Sequence, residues 1–377
     1  MDRTKWGFAG VFAVTVLFSS LPASAKDDCH DLKGDAGIAA CTRNIDSGKY
    51  KGHERAIDFY NRGLKYRRDK GDTDRAIADY NIAISIDPKY ADAYNNRGFA
   101  YARKGDYDRA IADYNQAIRY NPKDPFPWNN RGFAYRNKGE LDRAIADYSQ
   151  AINLNPNVAE YYYSRGVTYR RKGDVDRAIA DYSQAISIDP KSGDAFYNRG
   201  LAYRYKGDND RAVADFNQAI SLAPQDGDLY KSRGRINLYT GAVPKALADF
   251  NQAAALNPKD PYAALWVEIV GQRNNLPSRL MQASSQLDMT KWPAPIIGLF
   301  LGQMTPAAVL AAADDPDATK KKGQICEANF FSGELSLMKG ANAEAIRLFR
   351  LAASDCPDSF PEWYAAKAEL KALGAAP

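Results

Sequence analysis

The chain has 377 residues, 45% of them hydrophobic, with 51 lysines and arginines against 46 acidic residues and a formal net charge of +5. So even a balance, with no recognised nucleic-acid motif, argues against a nucleic-acid partner. Apolar content that runs on without a break fits one extended array better than two or three separate globular domains.

Residues 1–25 read as a signal peptide. Arg3 and Lys5 precede an apolar run from Trp6 to Leu21, and Ala23 and Ala25 are the small residues that signal peptidase needs, so cleavage after Ala25 would start the exported chain at Lys26. The alternative, an uncleaved anchor, has a run short of the ~20 apolar residues of a span. Cys29 follows Lys26, Asp27 and Asp28 rather than the small apolar residues that lipid attachment requires. The expected location is the periplasm.

Residues 26–54 read as an N-terminal helical cap. In an oxidising compartment cysteines pair by default. Cys29 and Cys41 flank a turn at Lys33-Gly34-Asp35, and Cys326 and Cys356 fall at neighbouring ends of two antiparallel helices near the C-terminus, so both pairs are expected as disulfides. Zinc is the competing reading for these cysteines, but there is no CxxC and only His30 and His53 to help.

From Arg55 to Asp260 the sequence repeats itself. Gly98, Gly132, Gly166, Gly200 and Gly234 lie 34 residues apart, as do Pro88, Pro122, Pro156, Pro190, Pro224 and Pro258. A period of this size marks stacked units that bury their apolar faces only against neighbours. Inside one unit Tyr94, Phe99 and Tyr101 form one apolar stripe, and Ala110, Tyr114, Ala117 and Ile118 form another at helical spacing. Gly105 ends the first helix, Asp106 caps the second and Pro122 stops it.

A 34-residue helix hairpin with Tyr94, Gly98, Tyr101, Ala110, Tyr114, Ala117 and Pro122 at these offsets resembles the tetratricopeptide repeat. The resemblance implies an all-α, right-handed superhelical solenoid: six tandem units over residues 55–260, divergent helical hairpins over 261–323, and a last repeat with a capping helix over 324–377. Residues 261–288 read as a degenerate hairpin containing Trp266, and 292–315 as two short helices around Gly302. Asp314, Asp315 and Lys320 to Lys322 read as a solvated linker. The last repeat rests on Gly333, Gly340, Ala345, Phe349, Ala352 and Pro357, and the capping helix opens at Trp363.

Two sets of recurring residues separate scaffold from recognition. Arg62, Arg97, Arg131, Arg165, Arg199 and Arg233 precede the repeat glycine, and Asp79, Asp113, Asp147, Asp181, Asp215 and Asp249 recur one helix later. Pairing between packed helices would satisfy groups that are expensive to bury alone. The binding groove of the tetratricopeptide family is lined by first-helix positions that here vary. They place Asn95, Phe99, Arg103, Asn129, Phe133, Arg136, Tyr163, Arg170, Arg171, Tyr197, Arg204, Tyr205, Lys231 and Arg235 along one face. A basic and aromatic groove suits an extended, acidic or carboxylate-bearing protein or peptide. The alternative readings are a solvated face whose arginine stems cover apolar surface, a site for an anionic envelope polymer such as peptidoglycan, and a groove that takes the chain's own tail.

No HExxH, G-x-S-x-G or phosphate loop appears, so neither an enzyme nor a cofactor is expected. Residues 261–374, with Trp266, Leu301-Gly302, Asn329, Phe330 and Gly333, resemble the C-terminal half of the envelope lipoprotein NlpI, minus its lipid attachment site. That likeness implies an adaptor, working as a homodimer, that organises peptidoglycan enzymes.

Overall fold

Glycine and aspartate set the helix boundaries. A computed structural model describes residues 28–357 and 360–376, so the signal-peptide reading lies outside the described residues. Gly105, at φ +79°, closes the turn after a first helix in the left-handed region where a side chain would be strained. Asp106 then accepts a hydrogen bond from the Arg109 backbone N–H at 3.1 Å and caps the next helix.

Contacts divide the chain into two units. The N-terminal unit, up to Pro190, begins with α1 (Asp28–Asp31) and α2 (Gly34–Ser47), which the Cys29–Cys41 disulfide joins. Four hairpins follow: α3 (Gly52–Asp69) with α4 (Thr73–Ile86), α5 (Ala91–Arg103) with α6 (Tyr107–Tyr120), α7 (Pro125–Asn137) with α8 (Leu141–Leu154), and α9 (Ala159–Arg171) with α10 (Val175–Ile188). Within each, the repeat glycine lets the helices close on an aromatic ring. A Cβ added at Gly98 would stand 2.9 Å from Tyr114 Cε1, and Tyr80, Tyr114, Tyr148 and Tyr182 are all fully buried.

The C-terminal unit, from Lys191, holds α11 (Gly193–Tyr205) with α12 (Asn209–Leu222) and α13 (Gly227–Tyr239) with α14 (Val243–Leu256). The period then breaks. α15 (Pro261–Arg273) has a partner of only five residues, α16 (Leu280–Ser284), because Pro277 and the polar run around it support no second full helix. α17 (Ala294–Phe300) and α18 (Pro306–Ala312) flank Gly302, which sits at φ +73°. The last repeat is α19 (Ala318–Met338) with α20 (Asn342–Asp355), tied by Cys326–Cys356, and α21 (Pro361–Ala372) closes the chain. Trp266, Phe330, Phe331 and Phe349 form its buried aromatic core. Lys320 to Lys322 are a correction to the linker reading: they belong to the first turns of α19. The Asp317 carboxylate starts that helix by accepting from the backbone of Thr319 and Lys320 at 2.8 and 3.1 Å. Among the described residues every regular element is a helix, and none is long and apolar enough to cross a membrane.

Each repeat arginine takes its aspartate in a two-pronged grip. Arg62–Asp79, Arg97–Asp113, Arg131–Asp147 and Arg165–Asp181 in the N-terminal unit, and Arg199–Asp215 and Arg233–Asp249 in the C-terminal one, have paired Nε and Nη2 contacts of 2.5–3.0 Å. The third nitrogen reaches back to the preceding hairpin. Arg97 Nη1 donates to Asn81, Arg131 Nη1 to Asn115, Arg165 Nη1 to Ser149 and Arg233 Nη1 to Asn217. One guanidinium therefore fastens three helices, which is the fixed fork geometry of arginine put to structural use. Burial pushes the Asp113 and Asp147 carboxyls up, and their arginines pull them part of the way back.

Candidate functional site

The two units present the first-helix face in different states. In the N-terminal unit α3, α5, α7 and α9 carry arginines over aromatic rings. Arg67 Cζ lies 4.7 Å from the Phe99 ring centre and Arg136 Cζ lies 5.1 Å from that of Phe133. Arg67 and Arg136 are only 8% and 9% exposed, so they form the floor, whereas Arg103 and Arg171 are exposed at its edge. Arg171 Nη1 donates to the Arg136 carbonyl at 2.8 Å. Amide groups link adjacent repeats along the same face: Asn130 donates to Asn95 Oδ1 at 3.0 Å, and Asn96 donates to the Tyr60 hydroxyl at 3.0 Å. Asn129 Oδ1 is buried with no hydrogen-bond donor among the described residues. Tyr163 sits 6.0 Å from Tyr182, ring centre to ring centre.

Among the described residues no carboxylate pairs with Arg67, Arg103, Arg136 or Arg171. Repeat arginines elsewhere do sit on carboxylates: the ladder members on aspartates, and Arg75, Arg109 and Arg177 on the capping aspartates of their own helices. A buried guanidinium without a counter-ion costs free energy that an incoming anion can recover.

In the C-terminal unit the equivalent face is covered from within the chain. α21 lies along it, and Trp363 stacks on Tyr205 with ring centres 6.0 Å apart and planes 10° from parallel. Tyr364 sits edge-on to Tyr239 at 6.2 Å, lies under the Arg204 guanidinium at 5.0 Å and donates its hydroxyl to Asn209 Oδ1 at 3.1 Å. Glu362 is buried; desolvation pushes its carboxyl up while Arg235 and Arg204 draw it down. Burial and the neighbouring Arg235 in turn lower the Arg204 guanidinium. At the other end of the helix, Glu369 and Glu334 meet Arg273 at 2.9 and 2.5 Å, and against the opposing pull of burial they raise its pKa.

The fourteen groove candidates thus fall into two groups. Asn95, Phe99, Arg103, Asn129, Phe133, Arg136, Tyr163, Arg170 and Arg171 lie on the N-terminal unit's face, where no helix of that unit covers them in the way α21 covers its own. Of the other five, Arg204, Tyr205 and Arg235 face α21. Lys231 is held by Asp228 and Asp260, and Tyr197 packs 5.7 Å from Phe216. Sequence reasoning missed Arg273, Glu334, Glu362 and Glu369. Arg273 stands one period after Tyr239, and Glu362 and Glu369 stand seven residues apart on one helix, which is the signal that could have found them.

Family models described as TPR repeat match residues 65–105, 134–173 and 167–204, and models described as tetratricopeptide repeat match 91–124, 113–146 and 197–261. Together they span 65–261, 197 of the 377 residues. No curated protein matches the chain. Among solved structures it is similar to MamA, at 32% identity over 42% of this chain and 92% of that one, with a TM-score of 0.40. YrrB, described as a TPR protein with an unusual peptide-binding site, matches at 27% identity over 50% and 94%, with a TM-score of 0.42. The pilF protein of Pseudomonas aeruginosa matches at 17% over 56% and 96%, with a TM-score of 0.50, a likeness of fold. The repeat register, the glycine-on-aromatic packing and the contiguous matches agree: this chain belongs to the tetratricopeptide repeat family.

Proposed function

We propose that the chain is an exported scaffold that binds an acidic or carboxylate-bearing protein or peptide along the first-helix face of residues 55–171. The observation that carries this reading is the set of arginines there, Arg67, Arg103, Arg136 and Arg171, that no carboxylate pairs with among the described residues, two of which, Arg67 and Arg136, lie on aromatic rings. Guanidiniums held by a rigid array select carboxylates by geometry as well as charge, and rings beside them add apolar contact at low entropic cost. A repeat fold whose units present one side chain each to a common face is consistent with a protein–protein interaction scaffold. Two disulfides favour an oxidising compartment, so the work would be done in the periplasm, and the resemblance of residues 261–374 to NlpI supports a role in organising peptidoglycan enzymes, as a homodimer in that case.

The test is photo-crosslinking in the native host from a probe at Arg103, with Arg136→Glu plus Arg171→Glu as the control. A discrete protein captured by the parent chain and lost in the control supports the reading. If the purified chain instead pellets with cell-wall sacs in the absence of other proteins, and no protein is captured, the face binds an anionic polymer.

A further inference from the structure

The C-terminal unit displays what a first-helix face of this repeat accepts. α21 carries two buried glutamates onto the face it covers. Glu362 is buried beside Trp363 and Tyr364, close enough to Arg204 and Arg235 to feel their charge but in no ion pair with them, and Glu369, seven residues or two helical turns later, meets Arg273 at 2.9 Å. Between them Ala365 and Ala366 are fully buried, so the helix can lie close, and Trp363 and Tyr364 cover the rings of Tyr205 and Tyr239. The N-terminal unit repeats two arginines of this arrangement, those equivalent to Arg204 and Arg273, in the same register. Arg136 stands 68 residues, two periods, before Arg204, and Arg171 occupies the register of Tyr205 and Tyr239. Arg67 and Arg136 lie on Phe99 and Phe133, rings whose register in the covered face holds Leu201 and Arg235. What this unit lacks is the acidic helix.

We infer that the first-helix face of the N-terminal unit takes an amphipathic helix from a partner protein, one that carries two glutamates two turns apart beside aromatic residues. The inference rests on the groove reading above and narrows it to a helical, acidic and aromatic ligand. Charge complementarity supports it: on one face Arg103, Arg136 and Arg171, which no carboxylate pairs with among the described residues, and on the other the carboxylate spacing that α21 presents to its own face, where Glu369 pairs with Arg273.

The experiment uses the full-length chain and a fluorescent peptide with the sequence of residues 360–376, read by anisotropy. A photoreactive group at the Tyr364 position of the peptide maps where it binds. The expected result is saturable binding, crosslinks within residues 52–171, and a loss of about tenfold or more in affinity for Arg136→Gln, or for a peptide carrying Glu362→Gln and Glu369→Gln. Should Arg136→Gln melt early, Arg171→Gln at an exposed position serves instead. No saturable binding at millimolar peptide overturns the inference, as do an unchanged affinity for the glutamine variants or crosslinks confined to residues 191–376, which mean that the peptide merely exchanges with α21. Failure here alongside a protein captured from Arg103 in the host removes the helical ligand and leaves the groove reading standing. Failure of both removes the groove itself.

Discussion

Replacing Arg131 with alanine tests how the array is held together. Its guanidinium grips Asp147 with two contacts of 2.7 Å, donates to Asn115 on α6 at 2.6 Å and lies 4.9 Å from the Trp128 ring centre. Alanine leaves a carboxylate that is 4% exposed with no cation beside it. Breaking a buried pair from one side costs ~3–5 kcal/mol. The Arg131 side chain is 16% exposed, so water reaches part of the gap and the low end, about 3 kcal/mol, is expected. Because the lesion sits where α5/α6 joins α7/α8, urea unfolding followed by circular dichroism should show an earlier and broader transition.

The pH dependence fixes the cause. Burial already holds the folded Asp147 carboxyl above its ordinary value of 3.8, with Arg131 opposing, and losing the arginine raises it further. A carboxyl with a raised folded pKa stabilises the fold most when protonated, and that contribution is lost as pH rises through the folded value. Arg131→Ala should therefore regain part of its deficit between pH 7 and pH 5. Arg131→Met with Asp147→Leu, which buries no charge, should come within about 1 kcal/mol of the parent. An Arg131→Ala chain with the parental midpoint, or a double variant no better than the single one, would refute the reasoning.

Three further outcomes follow from packing, covalent linkage and charge. Gly98→Ala would put a Cβ 2.9 Å from Tyr114 Cε1 and 3.1 Å from the Ala110 carbonyl oxygen; overpacking of this kind costs ~1–3 kcal/mol, read as a lower melting temperature. Cys326–Cys356 spans 30 residues, for which loop-closure entropy gives about 3–4 kcal/mol, so Cys356→Ala should melt earlier than the oxidised parent and lose less stability than it on adding reductant, which then opens Cys29–Cys41 alone. Glu327, which accepts from Tyr262 Oη and Trp292 Nε1 at 2.7 Å each, has a carboxyl raised above 4.5 by burial first and then by Glu362. Its contribution is thus complete below pH 4.5 and declines as pH climbs through the raised value. Glu327→Gln should flatten the fall in C-terminal stability between pH 5 and 8, and equal slopes for the two chains would contradict the assignment.

The repeats were legible because periodicity is a local property written many times over. Gly98 and Tyr114, or Gly166 and Tyr182, meet within one hairpin, and each recurrence restates the same contact. What escaped the sequence is contact made once. Tyr364 meets Asn209 across 155 residues of chain, and Arg273 meets Glu369 across 96; no pattern repeats to announce either. Helix limits in the divergent stretch were hidden for a related reason. One capping carboxylate, Asp317, turns the charged run Lys320 to Lys322 from an apparent linker into the start of α19, while Pro277 leaves α16 too short to complete its hairpin.

The same comparison yields a rule for reading arginine in such arrays. Arg97, Arg131, Arg165, Arg199 and Arg233 each have an aspartate 16 residues later, and the structure closes every one of those pairs. A cation with its counter-ion written at a fixed offset is fully engaged by its own fold, and it has little left to offer a ligand. Arg136 and Arg204 share a register with no such aspartate. In the C-terminal unit α21, outside the period, covers Arg204 with Tyr364 and buries Glu362 in its vicinity. Since the repeat does not write an aspartate 16 residues after this position, any counter-charge has to come from elsewhere, and among the described residues no carboxylate pairs with Arg136. The positions to read for recognition are those where the recurring charge is left unanswered by the recurrence.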